Sequence, residues 1–337
     1  MKRFLLILVR IGLPMALLVY LLASVQREDY VDFWNRPKRW ELLAAAQAVA
    51  LVAIVISFLR WQLLVRCFEI PFTTREALRL GFLGYLMNFV SLGSVGGDFF
   101  KAILVAREKR SKRPEAVASV LLDRAVGLLG LILLAWFCIQ FLATEQVPPL
   151  IVRLGLAAGV LSLLSVVSLL LLVYAGNWLN RLIKWLARNI PWIGMPVARM
   201  AVAVRLLRKY PTSIPILIAS SVLVHAMLTA SVYLVSRGLY PKSPTLQQHM
   251  MVIPPAMAAG ALPIAPGGLG VQEGAIVGLF QALPDVDSEY SSVLVAAVFR
   301  LVTLAIAGAG VAYYIASHGK EWQYFQQATA GEKQDGF

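Results

Sequence analysis

Apolar residues in this chain run in long blocks separated by short polar connections. Six blocks, Phe4 to Val25, Leu42 to Arg66, Ala116 to Leu142, Leu150 to Tyr174, Ser213 to Ser236 and Ser291 to Ser317, predict spanning helices. Each is near the ~20 residues needed to cross ~30 Å of hydrocarbon. Two further apolar regions, Ala77 to Ala106 and Leu246 to Leu283, are broken by glycine-rich motifs. The motifs are Ser94-Val95-Gly96-Gly97-Asp98 and Pro266-Gly267-Gly268-Leu269-Gly270-Val271-Gln272-Glu273. The pieces on either side of each motif are short for a full crossing. Each region is predicted to be a broken-helix hairpin, either re-entrant or a pair of crossings, the latter adding to the count of transmembrane segments. The N-terminus, Met1-Lys2-Arg3 before Phe4, has the charged and apolar parts of a signal peptide. Its apolar run is long enough to span and lacks a convincing small-residue cleavage site, so it reads as the first helix.

Composition agrees with an all-α polytopic membrane protein: 59% of the 337 residues are hydrophobic and 15% charged, far from the balance of a soluble domain. The net charge of +13 would suit nucleic acid only on a solvated basic domain, and no polar segment is long enough to make one. No nucleic-acid partner is therefore expected. The charge is better explained by membrane orientation. Lys101, Arg107, Lys109, Arg110, Lys112 and Arg113 gather in one connection, and Arg181, Lys184, Arg188, Arg199, Arg205, Arg208 and Lys209 in another; the positive-inside rule makes both cytoplasmic. Cys67 and Cys138 lie in or beside apolar segments and read as small hydrophobes rather than a disulfide or metal pair.

If each broken hairpin enters and leaves on one side, the N- and C-termini are cytoplasmic, and so are the loops Arg66 to Arg79, Lys101 to Arg113 and Arg181 to Lys209. The acidic connection Asp285, Asp287 and Glu289 falls outside with Thr144 to Pro149. Spans and hairpins then divide a single transmembrane domain, 1–320, into halves of the same order, about 1–142 and 150–317. An odd number of crossings per half inverts the second relative to the first, the inverted-repeat plan of many secondary transporters. Within 177–209, Trp178, Leu182, Trp185 and Leu186 alternate with Arg181, Lys184 and Arg188, which suits a helix in the cytoplasmic interface near anionic lipid. Residues 321–337 form a polar tail.

Each glycine motif precedes an acid and then an arginine inside a span: Asp98 with Arg124, and Glu273 with Arg300. Charge and broken backbone at membrane depth are costly, and their repetition points to a transport site. Gly96 and Gly97 are expected to open one half-helix, and Gly267, Gly268 and Gly270 another, presenting N–H groups and a positive dipole end to a phosphate. Pro263 and Pro266 are expected to stop the preceding half-helix. Asp98 and Glu273 sit where an acid either caps the helix or pairs with an arginine, and both readings stand. Lys101 reaches a phosphate or snorkels to the cytoplasmic edge. Asp123, about 100° around the helix from Arg124, is expected to be a supporting contact. His225 and His249 lack neighbours at ligand spacing and read as satisfied interior histidines. No metal cage, phosphate loop, cofactor site or catalytic constellation is recognisable, and an enzyme is the less favoured reading.

Three stretches resemble the lysylphosphatidylglycerol synthase transmembrane-region family: Ser94 through Lys101, Val120-Leu121-Leu122-Asp123-Arg124-Ala125-Val126-Gly127-Leu128, and Pro263-Ile264-Ala265-Pro266-Gly267-Gly268-Leu269-Gly270-Val271-Gln272-Glu273-Gly274. That family includes the flippase half of the bacterial multiple peptide resistance factor and stand-alone homologues. The resemblance covers almost the whole chain and implies a flippase-like protein of a bacterial or archaeal plasma membrane. It would move a phospholipid or an isoprenoid lipid with an anionic headgroup, with a lipid-modifying enzyme as a candidate partner. Two-part members carry a soluble aminoacyl-transferase domain after the membrane region. Only a short polar tail follows Ser317 here, so that activity is not carried over. The rival expectation is a non-transporting subunit or an integral-membrane transferase in lipid or polyprenyl-phosphate glycan synthesis.

Overall fold

A computed structural model of the chain describes residues 23, 27–90, 96–109, 112–142, 147–174, 177–190, 207–262, 265–284 and 286–316, with isolated positions between 194 and 205. The span expected over Phe4 to Val25, apart from Ala23, and the 321–337 tail lie outside these residues. The described residues form eleven α-helices and no strand. They are α1 (Arg27–Asn35), α2 (Trp40–Cys67), α3 (Thr74–Val90), α4 (Gly96–Glu108), α5 (Arg113–Leu142), α6 (Pro149–Tyr174), α7 (Asn177–Asn189), α8 (Ser213–Leu239), α9 (Leu246–Gly260), α10 (Val271–Ala282) and α11 (Ser292–Ala316). Helices α2, α5, α6, α8 and α11 are long and apolar enough to cross a membrane. They coincide with the five other predicted spans, extended by a few residues at some ends. The chain is a polytopic all-α membrane protein.

The two broken regions become the helix pairs α3/α4 and α9/α10, and each pair begins with the same device. Thr73 Oγ1 accepts from the Glu76 N–H at 3.2 Å while the Glu76 carboxylate accepts from the Thr73 N–H at 2.7 Å. Thr245 and Gln248 repeat this reciprocal cap at the start of α9. Two otherwise orphaned donors are satisfied at each helix start, which sets where the hairpin leaves the surface.

Ion pairs sort the connections into two ends of the molecule. At one end, Lys109 binds Glu76 at 2.9 Å, Arg79 binds Glu108, and Lys209 binds Glu69 at 3.0 Å. At the other, Arg36 binds Glu289 at 3.0 Å and Lys242 lies 3.6 Å from Asp287. The α3/α4 pair therefore starts and finishes at the first end, and α9/α10 at the second. Their tips nevertheless meet: a side chain added at Gly267 would stand 3.1 Å from the Phe89 ring and 3.4 Å from the Asn88 carbonyl. Two full crossings in each pair would leave the tips at opposite faces of the molecule. Contact between them requires that both turn back part-way, as re-entrant hairpins do.

Packing follows the same exchange. Helix α2 lies along α8, α3 against α11, and α5 against α9; within the halves, α4 meets α5 as α10 meets α11. One apolar core joins α2 and α8 to α9, α10 and α11, and a second joins α2 to α3, α4 and α5. Helix α6 packs chiefly on α5, where Gly155 receives Ile139 and Gly159 receives Trp136. Most of the rest of its surface is exposed leucine and valine, the face that hydrocarbon solvates. In the 177–209 segment, α7 exposes Arg181, Lys184 and Arg188, together with Leu182 and Trp185, and buries Ile183.

Candidate functional site

At the first hairpin, α4 starts at Gly96, and Gly97 lies so close to α3 that an added Cβ would overlap the Gly84 carbonyl. The Gly97 N–H donates to Asn88 Oδ1 at 3.0 Å. Asp98, in the first turn, accepts from Arg124 Nη1 at 2.7 Å and lies 3.0 Å from Lys101 Nζ. Arg124 also reaches across the molecule, donating Nη2 to the Ala261 carbonyl at 3.0 Å. Of the two open roles for Asp98, pairing with arginine is therefore occupied, and Lys101 turns toward that acid.

The second hairpin solves the same problem differently. Gly267, Gly268 and Gly270 have φ of 55°, 70° and 74°, a left-handed run that side-chain-bearing residues adopt only with strain. Glu273 fills both of its expected roles at once. Oε2 accepts from the Gly270 N–H at 2.8 Å, and Oε1 accepts from Arg300 Nε at 2.5 Å. Arg300 Nη1 donates to the Gly267 carbonyl at 3.0 Å, and its guanidinium stands 5.9 Å from the Phe89 ring of the other hairpin. Helix α9 ends at Gly260, ahead of Pro263 and Pro266, where a proline stop is expected to fall; Pro263 itself lies outside the described residues. The Ala261 N–H still bonds the Met257 carbonyl at 2.9 Å, and its own carbonyl turns to Arg124.

A cavity of about 540 Å³ lies where the tips meet. Asp98, Lys101, Arg124, Gly267 and Arg300 line it; Gly96, Gly97, Gly268, Gly270 and Glu273 do not, and those described in contact form the backbone and carboxylate support behind the wall. The N–H groups of Gly97 and Gly270 are consumed by Asn88 and Glu273, so the positive half-helix ends reach the cavity through arginine and lysine rather than as bare donors. Tyr85, Asn88 and Gln272 add polar lining, while Phe58, Leu128, Leu228 and Leu262 add apolar lining.

Two further charged residues line the cavity. Arg60, in α2, gives Nε to Asp123 Oδ1 at 2.9 Å, with side chains only 6% and 9% exposed. Asp123 is thus the partner of a third intramembrane arginine. Arg60 carried the same sequence signal as Arg124 and Arg300, an arginine within an apolar block, but had no glycine motif or acid nearby to mark it. The histidines separate. His249 is fully buried, with Nδ1 on the Thr245 carbonyl at 2.9 Å and Nε2 on Ser236 Oγ at 2.7 Å, a satisfied interior side chain as expected. His225 lines the cavity instead, so its chemistry belongs to the site. Among the described residues no cluster of side chains suited to a metal ion occurs.

Four cations, Arg60, Lys101, Arg124 and Arg300, face the lining carboxylates Asp98 and Asp123, with Glu273 behind. Buried charges are tolerated when paired and hydrogen-bonded, and the excess here is positive, which suits an anionic group. A sequence model of the lysylphosphatidylglycerol synthase transmembrane region matches residues 5–310. No curated protein matches the chain.

Proposed function

Because the chain belongs to the lysylphosphatidylglycerol synthase transmembrane-region family, we propose that it is a flippase-like transporter that moves an amphipathic lipid with an anionic headgroup between leaflets. A cavity between the hairpin tips, lined by more cations than carboxylates, carries this reading. The headgroup phosphate is held by Arg124 and Arg300 with Lys101, while Asp98 and Glu273 keep the arginines oriented. Halves of about 1–142 and 150–317 act as the two arms of an inverted repeat, and their exchange-related packing supports this. The end carrying Glu69, Glu76 and Lys209 is cytoplasmic, as its basic loops favour.

Leaflet exchange of fluorescent lipids in liposomes tests the proposal. Wild-type protein is expected to accelerate exchange, and Arg300→Ala to lower the protein-dependent rate at least about tenfold, since a desolvated arginine is worth a kcal/mol or more to an anion. That truncation also strands Glu273, so Lys101→Gln, which leaves Asp98 its bond to Arg124, serves as a second variant and is expected to slow exchange while melting like the wild type. Equal exchange in protein-free and wild-type vesicles, across phospholipid and isoprenoid headgroups, would sink the transporter reading.

A further inference from the structure

The corner of the cavity where α2, α5 and α8 meet differs chemically from the hairpin end. Arg60 spends its Nε on Asp123 Oδ1 and turns Nη2 toward the Asp123 carbonyl at 3.4 Å, but Nη1 is buried without a hydrogen-bond partner. Gly127, one turn beyond Asp123, leaves room for the guanidinium: an added Cβ would stand 3.3 Å from Nη2. The Gly127 carbonyl accepts from Ser221 Oγ at 3.1 Å. One turn on, His225 donates Nδ1–H to the Ser221 carbonyl at 2.8 Å, which leaves Nε2 as the acceptor of a neutral ring.

This corner therefore has cancelled charge and unspent hydrogen bonding. Arg60 and Asp123 neutralise each other, yet an arginine donor and an imidazole acceptor remain on residues that both line the cavity. A second anion placed here would meet Asp123, and a cation would meet Arg60. Hydroxyls suit such a pair of groups, because each can accept and donate through one oxygen. A buried donor without a partner is costly, so a ligand oxygen that completes Arg60 is favoured over one that cannot.

We propose that Arg60 and His225 form a hydroxyl-recognition subsite that selects lipids whose headgroup carries a polyol or sugar beyond the phosphate. The proposal rests on the lipid-carrier reading and deepens it: the phosphate lies toward Arg124 and Arg300, and the hydroxyls lie toward α2 and α8.

Phosphatidylinositol and phosphatidylethanol are suitable probes, since both are singly charged phosphodiester lipids and only the first has headgroup hydroxyls. Exchange of acyl-labelled forms of each is measured in liposomes containing the wild type, His225→Leu or His225→Gln, with melting temperature as the check on folding. Wild-type protein is expected to move phosphatidylinositol about tenfold faster than phosphatidylethanol, as one or two hydrogen bonds allow. His225→Leu should bring that ratio to within about twofold of unity, and His225→Gln, which restores an acceptor, should recover much of it. A wild-type ratio near one, or a ratio in His225→Leu equal to that of the wild type, overturns the subsite while leaving the carrier reading in place. Protein-independent exchange of both lipids also overturns the subsite, whereas the carrier reading falls only with the wider panel of phospholipid and isoprenoid headgroups.

Discussion

Gly97 shows how much of the site rests on an absent side chain. Its N–H reaches Asn88 Oδ1 only because α4 can lie directly on the backbone of α3 at Gly84. Gly97→Ala would force a methyl group into the Gly84 carbonyl, and overpacking of this kind costs about 1–3 kcal/mol. A lowered melting temperature in detergent is expected. Gly308→Ala is the contrast, since nothing stands within 4 Å of its added Cβ and alanine suits a helix better by up to about 1 kcal/mol. Equal behaviour of the two variants would mean that the close approach at Gly97 does not hold the hairpin. At this scale the sequence singled out Gly97, Asp98, Arg124, Glu273 and Arg300, and the fold pairs Asp98 with Arg124 and Glu273 with Arg300. It left Arg60 unmarked, and it could not choose between capping and pairing for Glu273, whose two oxygens do both.

Helices acquire their positions from different physics depending on where they lie. Spans such as α2 and α5 were legible because some twenty contiguous apolar residues are needed to cross hydrocarbon, a local property of sequence. The hairpin starts were legible in principle as well: Thr73 with Glu76 and Thr245 with Gln248 are capping boxes written in the chain. The end of α9 at Gly260 falls where the following prolines lead one to expect it, but that the next carbonyl serves Arg124 is written in no local pattern. For α7, Arg181, Lys184 and Arg188 share one exposed face, with Leu182 and Trp185 exposed on another. Each such charge near an anionic surface is worth about 1 kcal/mol. Replacing all three basic residues by glutamine should therefore remove roughly 2–3 kcal/mol of the stabilisation that anionic lipid confers on the protein in nanodiscs. An unchanged response to anionic lipid would detach α7 from the membrane surface.

For the whole molecule, the sorting of connections into two ends carries a topological prediction. Glu69 and Lys209 belong to one end, and Asp287 and Glu289 to the other. With the basic end cytoplasmic, a cysteine at Ser288 should react with a membrane-impermeant maleimide in intact cells, and a cysteine at Lys209 only after permeabilisation. The native thiols Cys67 and Cys138 are buried and should add little background. Reaction of both introduced cysteines from outside would overturn the topology. Contact between hairpin tips that begin at opposite ends likewise belongs to this scale, since it joins Gly267 to Phe89 across most of the chain.

By itself the sequence determined that this is a helical membrane protein, where five described spans run, where two of its helical regions break, and that charged groups at those breaks need partners. These are consequences of hydropathy over contiguous residues and of the cost of charge and open backbone in hydrocarbon. Only the tertiary structure decided which partners they find. Arg60 meets Asp123 across 63 positions, and Arg124 meets the Ala261 carbonyl across 137. Such pairings depend on the rotation and register of helices against one another, which one-dimensional hydropathy does not encode. The cavity exists only where α2, α5, α8 and both hairpin tips converge.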